Sequence, residues 1–141
     1  MTTSAATIEA KGANQWLIQV ERHYQGESGI GKVVVKQETP PNQENPPHVA
    51  FAGSKAWLML GESRLLVKDV EGAISCAQAG LDELGQDYAS PLVTDDTQMK
   101  LLAAKERIQE GHAEDGARIM LRMLKTRTEL YAELHESTIV E

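Results

Sequence analysis

Apolar residues recur at helical spacing over most of the chain. The first group is Trp16, Leu17, Val20 and Tyr24, and Gly26 follows it as a stop signal, so we predict a helix over residues 14–25. Residues 1–11 carry a single large aliphatic side chain, Ile8, and we expect them to be frayed.

The longest stretch of helical periodicity begins after the prolines and continues almost to the last residue. Asp69 and Thr94 each precede such a segment and are the expected N-caps. Gly85 and Pro91 mark the expected end of the helix after Asp69, with a break at 89–93, and Gly111 marks the next break. The helices predicted in this part are 49–67, a helix from the Asp69 cap to the Gly85 and Pro91 signals, 94–110 and 117–136. We expect residues 137–141 to fray.

The segment 26–47 breaks the helical pattern. It holds three glycines in its first six residues, the triplet Val33-Val34-Val35 and two Pro-Pro pairs, a combination through which no helix passes. The valines favour a short extended piece, but one isolated strand without a partner is not stable. We therefore predict an irregular Gly/Pro-rich excursion at 26–47 inside an all-α fold.

Composition limits the classes of function. The chain has 141 residues, with 14 basic and 21 acidic side chains and a net charge of −7, which disfavours nucleic acid and anionic membranes as partners. Its longest apolar run, 56–60, is far too short to cross a bilayer. The single cysteine, Cys76, cannot form an internal disulfide, and no secretion signal is evident at the N-terminus, so we expect a cytoplasmic protein.

Residues 56–81 resemble one tetratricopeptide repeat. The positions that carry the resemblance are Trp57, Leu60 and Gly61 in the first helix and Ala73 and Ala77 in the second. A glycine inside a helix costs about 1 kcal/mol relative to alanine, and close approach of the second helix is the expected reason for Gly61. A looser copy follows 44 residues later, around Gly116 and Ala117.

The resemblance implies a single helical domain over 1–141, with a repeat-like core at 49–136. Its helices would form antiparallel pairs in a short right-handed array. An unrelated antiparallel helical bundle is the alternative, and both architectures are all-α.

No group of residues predicts catalysis, and we expect no cofactor. Gly26–Lys32 matches the G-x-x-x-x-G-K part of a phosphate-binding loop, but Val33 stands where a serine or threonine should hold magnesium, and the predicted helix lies before the loop rather than after it. The four histidines lack the spacing of metal ligands, so we predict no metal site. Cys76 is expected to be a small buried residue.

The resemblance implies a non-enzymatic interaction module, such as an adaptor, chaperone or assembly factor, that binds a peptide or helix in a groove between helices. A hydrophobic or basic partner segment is expected. The alternatives are a self-associating structural subunit or, less favoured, a nucleotide-binding regulator that uses Gly26–Lys32. By position in the family, the partner-binding residues are Lys55, Leu58, Glu62, Leu65, Leu66, Met99, Leu102 and Glu106. A basic stripe on the last helix, Arg118, Arg122 and Lys125, is interpreted as a solvated face, with an acidic partner as the alternative.

Overall fold

The computed structural model describes residues 6–38, 47–92 and 95–140, and these residues form a mixed α/β fold. The prediction of an all-α protein is therefore wrong. The elements in chain order are β1 (Thr7–Gly12), β2 (Gln15–Tyr24), β3 (Glu27–Lys36), α1 (Pro47–Leu66), α2 (Val70–Leu92), α3 (Asp95–Gln109), α4 (Ala113–Leu134) and β4 (Thr138–Val140). The strands form one antiparallel sheet in the order β1-β2-β3-β4.

The predicted first helix is instead strand β2. Its alternate residues Trp16, Ile18 and Val20 point toward the core, and Ile18 and Val20 are fully buried, which is the period of two that a half-buried strand requires. Gln25 and Gly26 both have positive φ angles, 47° and 84°, so they form the tight turn that pairs β2 with β3 over ten residues.

The prediction of an irregular excursion at 26–47 is also wrong over the first half of that range. The valine triplet lies in β3, which pairs with β2 on one side and with β4 on the other. The termini expected to fray contribute strands as well, because all of β1 except Gly12 lies in the range 1–11 and β4 lies in the range 137–141. Strand β3, which contains the segment expected to be an isolated and unstable strand, therefore has partners on both sides. One of them, β4, lies about one hundred residues away in the sequence.

The four helices predicted after the prolines correspond to α1 to α4. Asp69 caps α2 as predicted, since its Oδ1 accepts a hydrogen bond from the Gly72 N–H at 3.0 Å. The end predicted for this helix by Gly85 and Pro91 lies at the second of these signals, since α2 passes Gly85 and ends at Leu92. The cap predicted at Thr94 lies outside the described residues. None of the described helices combines the length and the apolar composition needed to span a membrane.

Helix α1 is the central element, because it packs on the sheet and on α2 and α4. Its first half contributes Phe51 to a core shared with the sheet and Tyr131, and its second half contributes Leu58 to a core shared with the helices. Gly61 is buried where α1 meets α2 and α4, as the close-approach argument predicts. A Cβ atom at Gly61 would lie 2.5 Å from Leu121 Cδ2, so no other residue fits there without rearrangement.

Candidate functional site

A groove of about 520 Å³ lies between the C-terminal half of α1 and the exposed face of α4. Its lining residues are Glu62, Leu65, Leu66, Lys68, Arg118, Leu121, Arg122 and Lys125. The volume lies within the range of pockets that hold small ligands or the anchor side chains of a peptide.

Three leucines give the groove its apolar surface. Leu121 is buried where α4 meets α1, and Leu65 is half-buried beside it. Leu66, at the end of α1, is 82% exposed, an unusual position for a leucine with so much apolar surface. This end of α1 therefore offers apolar surface that the described part of the chain does not cover.

Basic side chains form the other wall of the groove. Arg118, Arg122 and Lys125 are exposed and lie at i, i+4 and i+7 on α4, so they share one face of the helix. Lys68 joins them from the turn after α1, where it adopts a positive φ of 65°. These four cations face one lining carboxylate, that of Glu62.

Ion pairs neutralise only part of this wall. Glu114 accepts from Arg118 at 3.1 Å and from Lys68 at 3.3 Å. Within the described part of the chain, Arg122 and Lys125 have no salt bridge. The groove is thus a region of positive charge on a protein whose net charge is −7.

The structure brings together only part of the predicted partner-binding set. Glu62, Leu65 and Leu66 line the groove, whereas Leu58 is 4% exposed and belongs to the core beneath it. Lys55 is half-buried further toward the start of α1 and does not line the groove.

The remaining predicted residues lie on another helix. Met99 and Leu102 are 68% and 59% exposed on α3, and Glu106 is exposed on the same helix, but none of the three lines the groove. Helix α3 packs against α4 through Ala104 and Ile108, so its exposed residues form a separate surface.

Sequence reasoning missed Leu121 and Lys68 as groove residues. The sequence predicts the basic stripe on α4, but the location of this stripe beside the leucines of α1 depends on how α4 packs against α1. The one sequence signal that could have linked the two helices is Gly61, which is small because Leu121 lies against it.

Within Gly26–Lys32, Gly26 belongs to the β2–β3 turn and the other two glycines serve packing. Gly29 and Gly31 lie in β3 under α1, and a Cβ atom on Gly31 would collide with the carbonyl oxygen of Ala52. Both residues are paired with β2 in an extended ladder. This arrangement differs from the strand-to-helix loop whose free amides surround a phosphate.

Chemistry that would support catalysis is not evident in the described residues. No three His, Cys, Asp or Glu side chains there lie close enough to share a metal ion. Burial raises the pKa of Cys76 to about 11, against the smaller opposing effect of Arg64, so the thiol stays protonated at neutral pH.

One buried cation lies outside the groove. Arg127 is 9% exposed on α4, and its Nε and Nη2 atoms have no hydrogen-bond partner among the described residues. Burial lowers the pKa of its guanidinium. Since it lies five residues from Arg122 along the helix, it occupies the opposite side of α4 from the groove.

Comparisons of the chain with known protein families, with characterised proteins and with solved structures find no match. The chemistry of the groove is therefore the main guide to function.

Proposed function

We propose that this protein is a non-enzymatic interaction module that binds an acidic, amphipathic segment of another protein in the groove between α1 and α4. The observation that supports the proposal best is the position of Arg122 and Lys125, which have no ion-pair partner among the described residues, beside the exposed Leu66.

Apolar contact would supply much of the affinity. An amphipathic helix that lies in a groove buries side chains spaced at i, i+3 and i+4. Leu65, Leu66 and Leu121 offer such side chains a contact surface. Burial of Leu66 alone would remove a largely exposed leucine from water, which is worth about 1.5 to 3 kcal/mol for full burial.

Charge would select the partner. The sequence-based expectation of a hydrophobic or basic segment rested on acidic residues such as Glu62 and Glu106, and Glu106 does not line the groove. The lining holds four cations and one carboxylate, and Glu114 neutralises part of the charge of Arg118 and Lys68. The remaining positive charge favours carboxylates on the ligand and disfavours a basic ligand through like-charge repulsion.

The direct test uses two designed helical peptides of roughly five turns. Both carry leucine at helical spacing, one with glutamate and the other with lysine at the polar positions, and binding is followed by fluorescence anisotropy. We expect the glutamate peptide to bind more tightly, with an affinity that falls as salt is added. Equal binding of both peptides, or none of the acidic one, would refute the proposal.

Charge-reversed variants locate the binding site. Arg122→Glu with Lys125→Glu should weaken binding of the acidic peptide about tenfold or more. The matched control is Lys36→Glu with Lys105→Glu, which changes net charge equally at exposed positions outside the groove. If the control weakens binding as much as the groove variant, the attraction is general and the groove is not the site.

We further propose that the protein acts in the cytoplasm, because its single cysteine is a buried free thiol. Subcellular fractionation of the native cells tests this, and recovery in a secreted fraction would contradict it.

A further inference from the structure

Strand β3 is paired along only part of its outer edge. It runs from Glu27 to Lys36, but β4 pairs only with Lys32, Val33 and Val34. Toward the β2–β3 turn, the edge from Glu27 to Gly31 therefore has no neighbouring strand among the described residues.

The hairpin geometry identifies which backbone groups face this edge. Tyr24 and Glu27 flank a two-residue turn, so they form the first hydrogen-bonded pair of the ladder, and such pairs then recur at every second residue. At the other end of the ladder, the Gln37 N–H donates to the Asn14 carbonyl at 3.0 Å, so an odd-numbered residue bonds toward β2 there as well. Odd-numbered residues of β3 thus bond to β2, and the N–H and C=O groups of Ser28 and Ile30 point outward.

A second cavity lies beside this edge. It measures about 270 Å³ and is formed by residues 27–30 of β3 together with Met59, Leu60 and Ser63 of α1. Met59 is 44% exposed there, and Gly29 contributes no side chain. The cavity can therefore receive an apolar side chain from outside.

Strand β4 shows how this edge is used. It pairs antiparallel with β3, and its central residue, Ile139, lies opposite Val33 and packs against the core shared by the sheet and α1. Gly29 lies four residues from Val33, so both positions face α1. A residue of an added strand that lies opposite Gly29 would therefore point to the face of the sheet that Ile139 occupies, toward the cavity beside α1.

We propose that Ser28–Ile30 is a strand-addition site, at which an extended segment of a partner protein pairs antiparallel with β3 and places an apolar side chain opposite Gly29. The segment would satisfy the outward N–H and C=O groups of Ser28 and Ile30, while its apolar side chain would contact Met59 and Leu60. Backbone bonding would supply affinity with little dependence on sequence, and the cavity would supply specificity.

The proposal does not depend on the α1–α4 groove, and its test uses different probes. Peptides are selected from a phage-displayed random library on the intact protein and then synthesised. Amide hydrogen exchange is measured by NMR with and without each peptide. In the free protein, the Ser28 and Ile30 amides should exchange rapidly and those of Gly29 and Gly31 slowly; at least one selected peptide should slow Ser28 and Ile30 about tenfold or more.

Two variants separate backbone pairing from side-chain contact. Ile30→Pro removes the outward N–H without breaking a bond to β2, which is the kind of strand position that tolerates proline, whereas Ile30→Ala keeps the N–H. The proline variant should abolish peptide binding and the alanine variant should retain most of it. A far-UV circular dichroism spectrum and a cooperative thermal transition like those of the unsubstituted protein serve as the check that Ile30→Pro remains folded.

Several results would overturn the proposal. They are slow exchange of the Ser28 and Ile30 amides in the free protein, failure to select any peptide that protects them, and equal loss of binding in the alanine and proline variants. Protection that rises with protein concentration, together with dimer formation in sedimentation, would assign the edge to a second copy of this chain instead.

Discussion

The indole N–H of Trp57 donates a hydrogen bond to Glu83 Oε2 at 2.9 Å, which ties α1 to α2. The same carboxylate accepts from Arg22, so it also connects both helices to β2. The side chains of Arg22 and Glu83 are 14% and 21% exposed, and Gly53 leaves room for the carboxylate. A single acidic residue thus joins the sheet to the helical part of the fold.

Replacing Glu83 should destabilise the whole fold. Glu83→Ala leaves the Arg22 guanidinium and the Trp57 N–H without this partner in a poorly hydrated position, and we expect a loss of about 2 to 3 kcal/mol in the free energy of unfolding. Urea denaturation followed by circular dichroism measures it. The control, Glu129→Ala at an exposed position of α4, should change stability by less than about 0.5 kcal/mol. A similar small change for Glu83→Ala would show that this contact does not hold the sheet to the helices.

The glycines of β3 should be needed for stability. In Gly31→Ala the new methyl group collides with the Ala52 carbonyl of α1, so we expect a loss of about 3 kcal/mol or failure to fold. Gly12→Ala is the matched control, because a Cβ there meets only Gln15 Oε1 at an ordinary contact distance of 3.6 Å. Thermal unfolding gives the melting temperatures of both variants, and that of Gly31→Ala should be the lower. Equal melting temperatures would mean that α1 does not lie on β3 as closely as described.

Removing the buried cation of α4 should stabilise the protein. Arg127→Met replaces a guanidinium whose Nε and Nη2 atoms have no partner in the described part of the chain with an apolar side chain, and we expect a gain of about 1 to 3 kcal/mol. The exposed Arg122→Met should have almost no effect. Chemical denaturation of both variants gives the comparison. A loss of stability in Arg127→Met would show that the guanidinium makes a favourable interaction in the native state.

Stability should fall in mild acid because of His48. Its Nδ1 lies 2.9 Å from the Tyr131 hydroxyl, and burial, followed by the nearby His135, lowers its pKa below the ordinary value of 6.5. At higher pH both the folded and unfolded states carry a neutral imidazole. As the pH falls through about 6.5, the unfolded state takes up the proton first, so the folded state loses relative stability until His48 itself is protonated.

A pair of histidine variants isolates this effect. His48→Gln should reduce the loss of stability between pH 8 and pH 5, measured by thermal unfolding, whereas His112→Gln, at an exposed site, should leave it unchanged. An unchanged pH dependence in His48→Gln would assign the acid sensitivity to other groups.

The helices could be predicted from sequence, whereas the sheet could not. The 3.6-residue period and the Asp69 cap are local signals, and they locate α1 and the start of α2 to within two residues. In β2, however, the apolar residues fit both the helical period of 3.6 and the strand period of two. The alternation of Trp16, Ile18 and Val20 identifies a strand only when a partner strand is known. Strand β4, which pairs with β3, follows all four helices in the sequence, so no local pattern predicts that pairing.

The candidate site could likewise be predicted from the sequence only in part. Glu62, Leu65 and Leu66 could be predicted because one helical face carries them, whereas their proximity to Arg122 and Lys125 arises from the packing of α4 on α1. The prediction of Leu58 as a partner-binding residue fails because its helical position fits either the groove or the core, and it is 4% exposed. The resemblance of 56–81 to a tetratricopeptide repeat stays a prediction, since the described residues establish an antiparallel pair of helices, α1 and α2, and not a family.

The central claim is that the groove between α1 and α4 holds an acidic partner segment, and an NMR titration of the labelled protein with the acidic leucine-containing peptide tests it most directly. We expect backbone amide shifts concentrated in residues 62–68 and 118–125, saturating with peptide and absent with the lysine counterpart. Shifts confined to residues 99–106 of α3, or no saturable shifts in the groove, would contradict the claim.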